Sequence, residues 1–106
     1  MNILLICGNG VSSGMIAQRI YKAGIKNGYK DTKTDAYSYA QLAEVIDLFD
    51  VVLVAPQMKF YEKMIKETCD QHNKPYAIID PMTYSMLDGE KGFALAKNLI
   101  KNRRIS

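Results

Sequence analysis

Short apolar runs alternate along the chain with longer stretches of helical periodicity. Ile3 to Ile6 is an unbroken apolar run, which suits a strand covered on both faces. Asp50-Val51-Val52-Leu53-Val54-Ala55-Pro56 is another, closed by a proline that has no N–H to continue a ladder. Pro75 to Pro81, centred on Ala77-Ile78-Ile79, predicts a further buried strand closed the same way. Thr32 to Tyr37 alternates only weakly, with Thr32, Thr34 and Ala36 against Lys33 and Asp35. It predicts a more exposed strand at a sheet edge.

Between these runs the spacing changes to that of helices. Met15, Ile16, Ile20, Ala23 and Ile25 predict a first helix from near Met15 to about Asn27, with Gly28 as its stop signal. Ser38 is placed to cap a short second helix, with Leu42, Val45 and Ile46 inward and Glu44 and Asp47 outward. A third helix is expected over 58–72, with Tyr61, Met64, Ile65, Thr68 and Cys69 on or near one face. His72, the chain's one histidine, falls in its last turn as a solvated cap without an acidic partner. A loop containing Met82, Tyr84, Met86, Asp88 and Gly89 leads to a final helix over 91–102, whose inner face is Phe93, Leu95, Ala96, Leu99 and Ile100.

Strand–helix alternation repeated four times implies an α/β fold: an open, doubly wound, four-stranded parallel sheet with right-handed crossovers and helices on both faces. The expected strand order is 2-1-3-4. Ligands of such sheets bind at the carboxyl ends of the strands, where the order reverses. Here that point lies between strands one and three. Cys7, Pro56-Gln57 and Asp80-Pro81 should all emerge there.

Composition narrows the class. A chain of 106 residues suits one domain, spanning 1–106. Its net charge is +3, and its basic residues are scattered along the sequence, so nucleic-acid binding is not indicated. Lys101, Arg103 and Arg104 crowd the end of the last helix, where cations suit the dipole. Cys7 and Cys69 form no CxxC pair and have no clustered histidines, so neither a metal site nor a disulfide framework is expected. No stretch approaches the roughly 20 apolar residues of a membrane span. The expectation is a cytoplasmic monomer with reduced thiols and no cofactor.

The chemistry is concentrated in residues 7–15. Cys7 ends the first strand, and Gly8-Asn9-Gly10-Val11-Ser12-Ser13-Gly14 separates it from the helical pattern that starts near Met15. A strand, a glycine-rich turn and a helix N-terminus make an anion site, because main-chain N–H groups converge and the helix dipole adds about half a positive charge. A thiol beside such a site is drawn toward its nucleophilic form and can attack phosphorus. The alternative is ordinary packing, since free cysteines often behave as small apolar residues. Cys69, on the inner face of a helix, is read that way.

Several anion-site families fit poorly. Gly8-Asn9-Gly10-Val11-Ser12-Ser13 has serine where a dinucleotide fingerprint needs its third glycine, and no acidic residue ends the next strand. A P-loop NTPase needs a lysine that this loop lacks. Small cysteine-dependent tyrosine phosphatases place arginine and a hydroxyl after the loop, where this chain has Ser13 and Gly14. Comparable arginines are worth about 10³–10⁵ in rate in phosphoryl transfer. A site that forms a phosphocysteine and hydrolyses it slowly is a carrier. A phosphatase or arsenate-reductase-like hydrolase is the second reading, and a non-catalytic domain with a structural Cys7 the third.

The chain resembles the IIB components of the lactose/cellobiose family of the bacterial sugar phosphotransferase system over nearly its full length. The resemblance is carried by Ile3-Leu4-Leu5-Ile6-Cys7 with the loop through Met15, by Val54-Ala55-Pro56-Gln57, and by Ile79-Asp80 with Tyr84, Met86 and Asp88-Gly89-Glu90. It implies that Cys7 accepts phosphate from a histidine of a IIA component and passes it to a sugar, expected to be a β-linked disaccharide, held by a membrane IIC component. It implies that Gly8, Asn9, Gly10, Val11, Ser12, Ser13, Gly14 and Met15 bind the phosphate. Met15, Met58, Phe60, Tyr61, Tyr84 and Met86 are candidates for an adaptable apolar rim on which both partners dock.

Overall fold

The computed structural model describes residues 1–8 and 11–105, with side chains for all of these except 11–13 and 103–105. Four strands form one parallel sheet in the order β2-β1-β3-β4, where β1 is Asn2–Cys7, β2 Lys33–Ser38, β3 Val51–Val54 and β4 Tyr76–Ile78. Helix α1 (Val11–Lys26) joins β1 to β2. Single turns of 3-10 helix flank the short α2 (Leu42–Val45) before β3. A 3-10 segment over Pro56–Tyr61 leads into α3 (Glu62–Gln71), and α4 (Pro81–Ser85) and α5 (Gly89–Ile105) follow β4.

The two inner strands explain the arrangement. Ile3, Leu4, Leu5 and Ile6 are 1% exposed or less, and β3 is fully buried. Each such side chain contributes about 1.5–3 kcal/mol when withdrawn from water, so both sheet faces must be covered. Right-handed crossovers then place α1 on one face and α2 and α3 on the other. Helix α5 packs against α1, and α2 packs against α3. β2 is an edge strand, as its weak alternation predicts. β4 is the opposite edge and only half-buried, where its apolar sequence predicts burial on both faces. Among the described residues no strand lies beyond it to complete its cover.

Helix boundaries shift for identifiable reasons. Helix α1 starts at Val11, four residues before the periodicity suggests. First-turn N–H groups make no intrahelical bond, so Gly/Ser-rich sequence is tolerated there and reads as loop. At its end the Tyr29 N–H reaches Gly24 O (2.9 Å) and the Gly28 N–H reaches Ile25 O (3.0 Å), with Gly28 at φ +92°. This is a Schellman stop. Helices α3 and α4 end in the same motif, but with Asn73 (φ 57°) and Leu87 (φ 53°) in the left-handed position. The expected loop over 82–89 contains α4, and α5 begins at Gly89 because Asp88 accepts the Lys91 N–H (3.1 Å). Ser38 does begin the 3-10 turn before α2, and Gln41 Oε1 accepts its N–H (3.2 Å).

Exposure corrects several helical faces. Ile16, Ile20 and Ala23 are buried, but Met15 and Ile25 are exposed. On α3, Ile65 and Cys69 are buried, whereas Met64 faces solvent, as does Tyr61 just before the helix. His72 is not a lone cap. Its Nδ1 lies 2.9 Å from Asp47 Oδ1 and ties the end of α3 to the turn after α2.

Two stability predictions follow from this packing. A Cβ added at Gly89 would overlap the Arg19 main-chain carbonyl, whereas one at Gly14 meets nothing within 4 Å. Gly89→Ala should cost about 1–3 kcal/mol and lower Tm by about 4–8 °C per kcal/mol. Gly14→Ala should hold or raise Tm, by up to about 1 kcal/mol of helix preference. Equal Tm values for the two variants would contradict the packing. Burial, and to a lesser degree Asp70, raises the Cys69 thiol from 9.0 to about 11. The folded state therefore keeps this proton more tightly than the unfolded chain. Its stabilisation is whole below pH 9 and is lost as pH rises through about 11. Tyr76, likewise raised to about 12, titrates in both proteins compared. Thermal melts should show a smaller loss of Tm between pH 9 and 11 for Cys69→Val than for wild type.

Candidate functional site

Parallel register sets the carboxyl rim. Cys7 pairs with Ser38 across β1 and β2, and Ile6 pairs with Val54 across β1 and β3. The ladder continues one residue past the strands, through Ala55 N–H to Ile6 O (2.9 Å) and Ile79 N–H to Val54 O (2.8 Å). Cys7-Gly8, Ala55-Pro56 and Ile79-Asp80 therefore stand level at one end of the sheet, as the strand order requires. Pro56, without an N–H, turns the chain away into the 3-10 segment.

Cys7 ends β1 four residues before the first residue of α1, a helix of 16 residues. Its side chain is more withdrawn than a thiol at the mouth of a cleft would be. Cys7 is 5% exposed, and its Sγ donates to the main-chain carbonyl of Tyr37 at 3.6 Å. The reason is positional. β1 lies between β2 and β3, so its last residue still has a neighbour on each side, and the Tyr37 carbonyl of β2 faces the sulfur. Gly8 is half-buried, and a Cβ there would lie 3.7 Å from Met58 Sδ. Cys69 is distinct: it is wholly buried on α3, with its thiol pushed up to about 11.

Of the sequence-predicted phosphate-binding residues, Asn9 and Gly10 lie outside the described residues, as do the side chains of Val11, Ser12 and Ser13. Val11, Ser12 and Ser13 form the first turn of α1, not a loop. Their N–H groups have no carbonyl four residues back inside the helix. Gly14 and Met15 are exposed. In an α-helix that begins at Val11, the Met15 N–H bonds to the Val11 carbonyl, which removes it from the set of free donors.

The rest of the rim is braced by side chains from the neighbouring segments. Asp80 caps α4, accepting from the Thr83 N–H (3.1 Å) and the Thr83 hydroxyl. Those two bonds hold its carboxyl below its ordinary 3.8, with a smaller contribution from Lys91. Gln57 Nε2 donates to the Tyr84 hydroxyl (3.3 Å), linking the segments that follow β3 and β4. Tyr39, after β2, stacks at 4.9 Å on Tyr61 and donates to Met64 Sδ (3.2 Å).

Of the apolar rim candidates, Met15, Phe60, Tyr61 and Met86 are exposed, Phe60 by 97%. Met58 and Tyr84 are buried and support the rim from beneath. Met82 joins the exposed set. The Tyr37 carbonyl beside Cys7 has no sequence signal, because only strand register brings it there. Among the described residues no three His, Cys, Asp or Glu side chains converge, and no helix is long and apolar enough to cross a membrane.

Comparison with known proteins bears on this arrangement. The family model described as the lactose/cellobiose-specific IIB subunit of the PTS system matches residues 2–94. The chain is 30% identical over 101 residues to the oligo-beta-mannoside-specific EIIB component of Bacillus subtilis, covering 95% of this chain and 97% of that protein. It is similar to the solution structure of the cellobiose-specific IIB component from Borrelia burgdorferi, with a TM-score of 0.80 and 40% identity, over 97% of this chain and 94% of that one. A 68-residue stretch is 37% identical to part of the lactose-specific EIICB component of Streptococcus mutans, covering 63% of this chain and 12% of that longer protein. IIB components act as phosphotransferases in sugar phosphorylation. On the match across residues 2–94, this chain belongs to the lactose/cellobiose-specific IIB subunits of the sugar phosphotransferase system.

Proposed function

We propose that Cys7 is the phosphoryl carrier between a IIA phosphohistidine and a sugar held by a membrane IIC component. In the first transfer the Cys7 sulfur attacks phosphorus, the S–P bond forms and the N–P bond breaks. The thiol proton ends on the departing imidazole. In the second, a sugar hydroxyl attacks the same phosphorus, the S–P bond breaks and the thiolate leaves. The hydroxyl proton passes to a base or to water. The first transfer begins with release of the sulfur from the Tyr37 carbonyl.

The observation that carries this reading is the placement of Cys7 at the end of an inner strand, four residues before a long helix. The segment Gly8–Met15 is the phosphate cradle in this proposal, with the first-turn N–H groups of Val11, Ser12 and Ser13 as donors. Preformed N–H donors stabilise charge that develops on the transferring group. Met15 contributes its exposed side chain to the apolar rim on which the partners dock. A β-linked disaccharide is the proposed sugar, in keeping with the names of the oligo-beta-mannoside and cellobiose relatives. On this reading the chain acts in the cytoplasm as a monomeric, single-domain carrier.

Incubation with a phosphorylated IIA component should add one PO₃ unit to Cys7, located by mass spectrometry of the peptide ending at Arg19. Cys7→Ser should stay unlabelled, while Cys69→Val should label as wild type does. Label elsewhere in the chain would defeat the assignment. Cys7-dependent turnover of p-nitrophenyl phosphate without a IIA component would favour a hydrolase instead.

A further inference from the structure

The basic residues are spread through the sequence, but the fold brings six of them together on two neighbouring helices. Helix α1 carries Arg19, Lys22 and Lys26 and no carboxylate. Helix α5 carries Lys91, Lys97 and Lys101, all exposed, and its sequence goes on to Arg103 and Arg104. Its one carboxylate, Glu90, is 3.6 Å from Lys26. The opposite face has Glu44, Asp47, Glu62, Glu67 and Asp70 on or beside α2 and α3, offset by Lys59, Lys63, Lys66 and Lys74. A chain of net charge +3 therefore presents one strongly basic layer opposite a nearly balanced one.

The basic layer also carries exposed amphipathic side chains. Tyr21 and Ile25, one turn apart on α1, are 44% and 38% exposed, and Tyr29 lies beneath Lys97 at 5.4 Å. Arg19, Lys22 and Lys26 recur at the spacing of a single helical stripe. Helix α5 begins against Arg19 and runs on past Tyr29, toward the sheet end opposite Cys7. The layer can thus be covered without covering the rim.

We infer that the α1–α5 face docks on an anionic membrane surface. Basic side chains flanked by tyrosine and isoleucine match the interface of an anionic leaflet, where charge attracts and aromatic rings settle among headgroups. The choice of a bilayer over another polyanion also rests on the proposed delivery of phosphate to a membrane component. Docking by this face holds the carrier at the leaflet and leaves the Cys7 rim open sideways to both partners.

Flotation of the intact chain with vesicles at low salt tests this. Phosphatidylcholine vesicles containing phosphatidylglycerol should bind it and release it on adding salt, while phosphatidylcholine alone should not bind. The Lys22→Glu/Lys97→Glu/Lys101→Glu variant should partition roughly a hundredfold more weakly, since each basic group contributes about fivefold. Lys63→Glu/Lys66→Glu, on α3, should bind as wild type does. Equal binding to neutral vesicles, equal losses in both variants, or preference for short duplex DNA over the anionic vesicles would overturn the inference. Labelling of Cys7 by phosphorylated IIA in solution should be intact in the triple variant. Loss of vesicle binding is thereby separable from failure of the carrier reading, which Cys7→Ser tests without changing this face.

Discussion

The complete burial of β1 is the constraint on which the rest of the structure depends. A strand of Ile3 to Ile6 with no exposed surface needs a partner on each edge and helices on each face. Those demands produce the 2-1-3-4 order, because the first strand must lie inside the sheet. They also determine where Cys7 falls. It is the last residue of an inner strand, at the point where α1 and α2 leave on opposite faces. The candidate site is therefore a consequence of core packing as much as of the residues within it.

The same constraint holds the sulfur back. An inner strand keeps neighbours on both sides to its final residue, so Cys7 meets the Tyr37 carbonyl and has little contact with water. The Cys7 sulfur rests against a carbonyl, and the proposed carrier role requires that contact to be given up. The surrounding rim is braced by side chains. Asp80, Gln57 and Tyr84 brace the segments after β3 and β4, and Met58 fills the space beside Gly8. The exposed side chains on this rim are long, flexible or aromatic.

Charge in this protein is a property of faces. Helices α1 and α5 are distant in sequence and adjacent in space, and each brings lysines or arginines outward with almost no carboxylate. The α2 and α3 side carries five carboxylates but also Lys59, Lys63, Lys66 and Lys74, and is nearly balanced. The modest net charge of +3 conceals that concentration, because it averages the basic face with the rest of the surface. The His72–Asp47 contact belongs to the α2–α3 side, where it joins the end of α3 to the turn after α2.

The amino-acid sequence by itself determined the strand–helix alternation, the parallel sheet and its order, and the strand that ends in Cys7. Apolar runs and prolines report burial and chain direction through local chemistry, which needs no knowledge of neighbours. Gly28 was legible as a helix stop for the same reason, since only glycine reaches φ +92° without strain. Asn73 and Leu87, which end α3 and α4 in the left-handed position, were not legible, because the surrounding contacts impose that conformation. Tertiary structure alone decided that α1 starts at Val11, that Tyr61 and Met64 face water, and that Asp47 meets His72. It alone brought the Tyr37 carbonyl to the Cys7 sulfur and gathered the lysines of α1 and α5 on one face. Each of those outcomes depends on which segments lie side by side, and helical or strand periodicity specifies a residue's face without specifying what that face will meet.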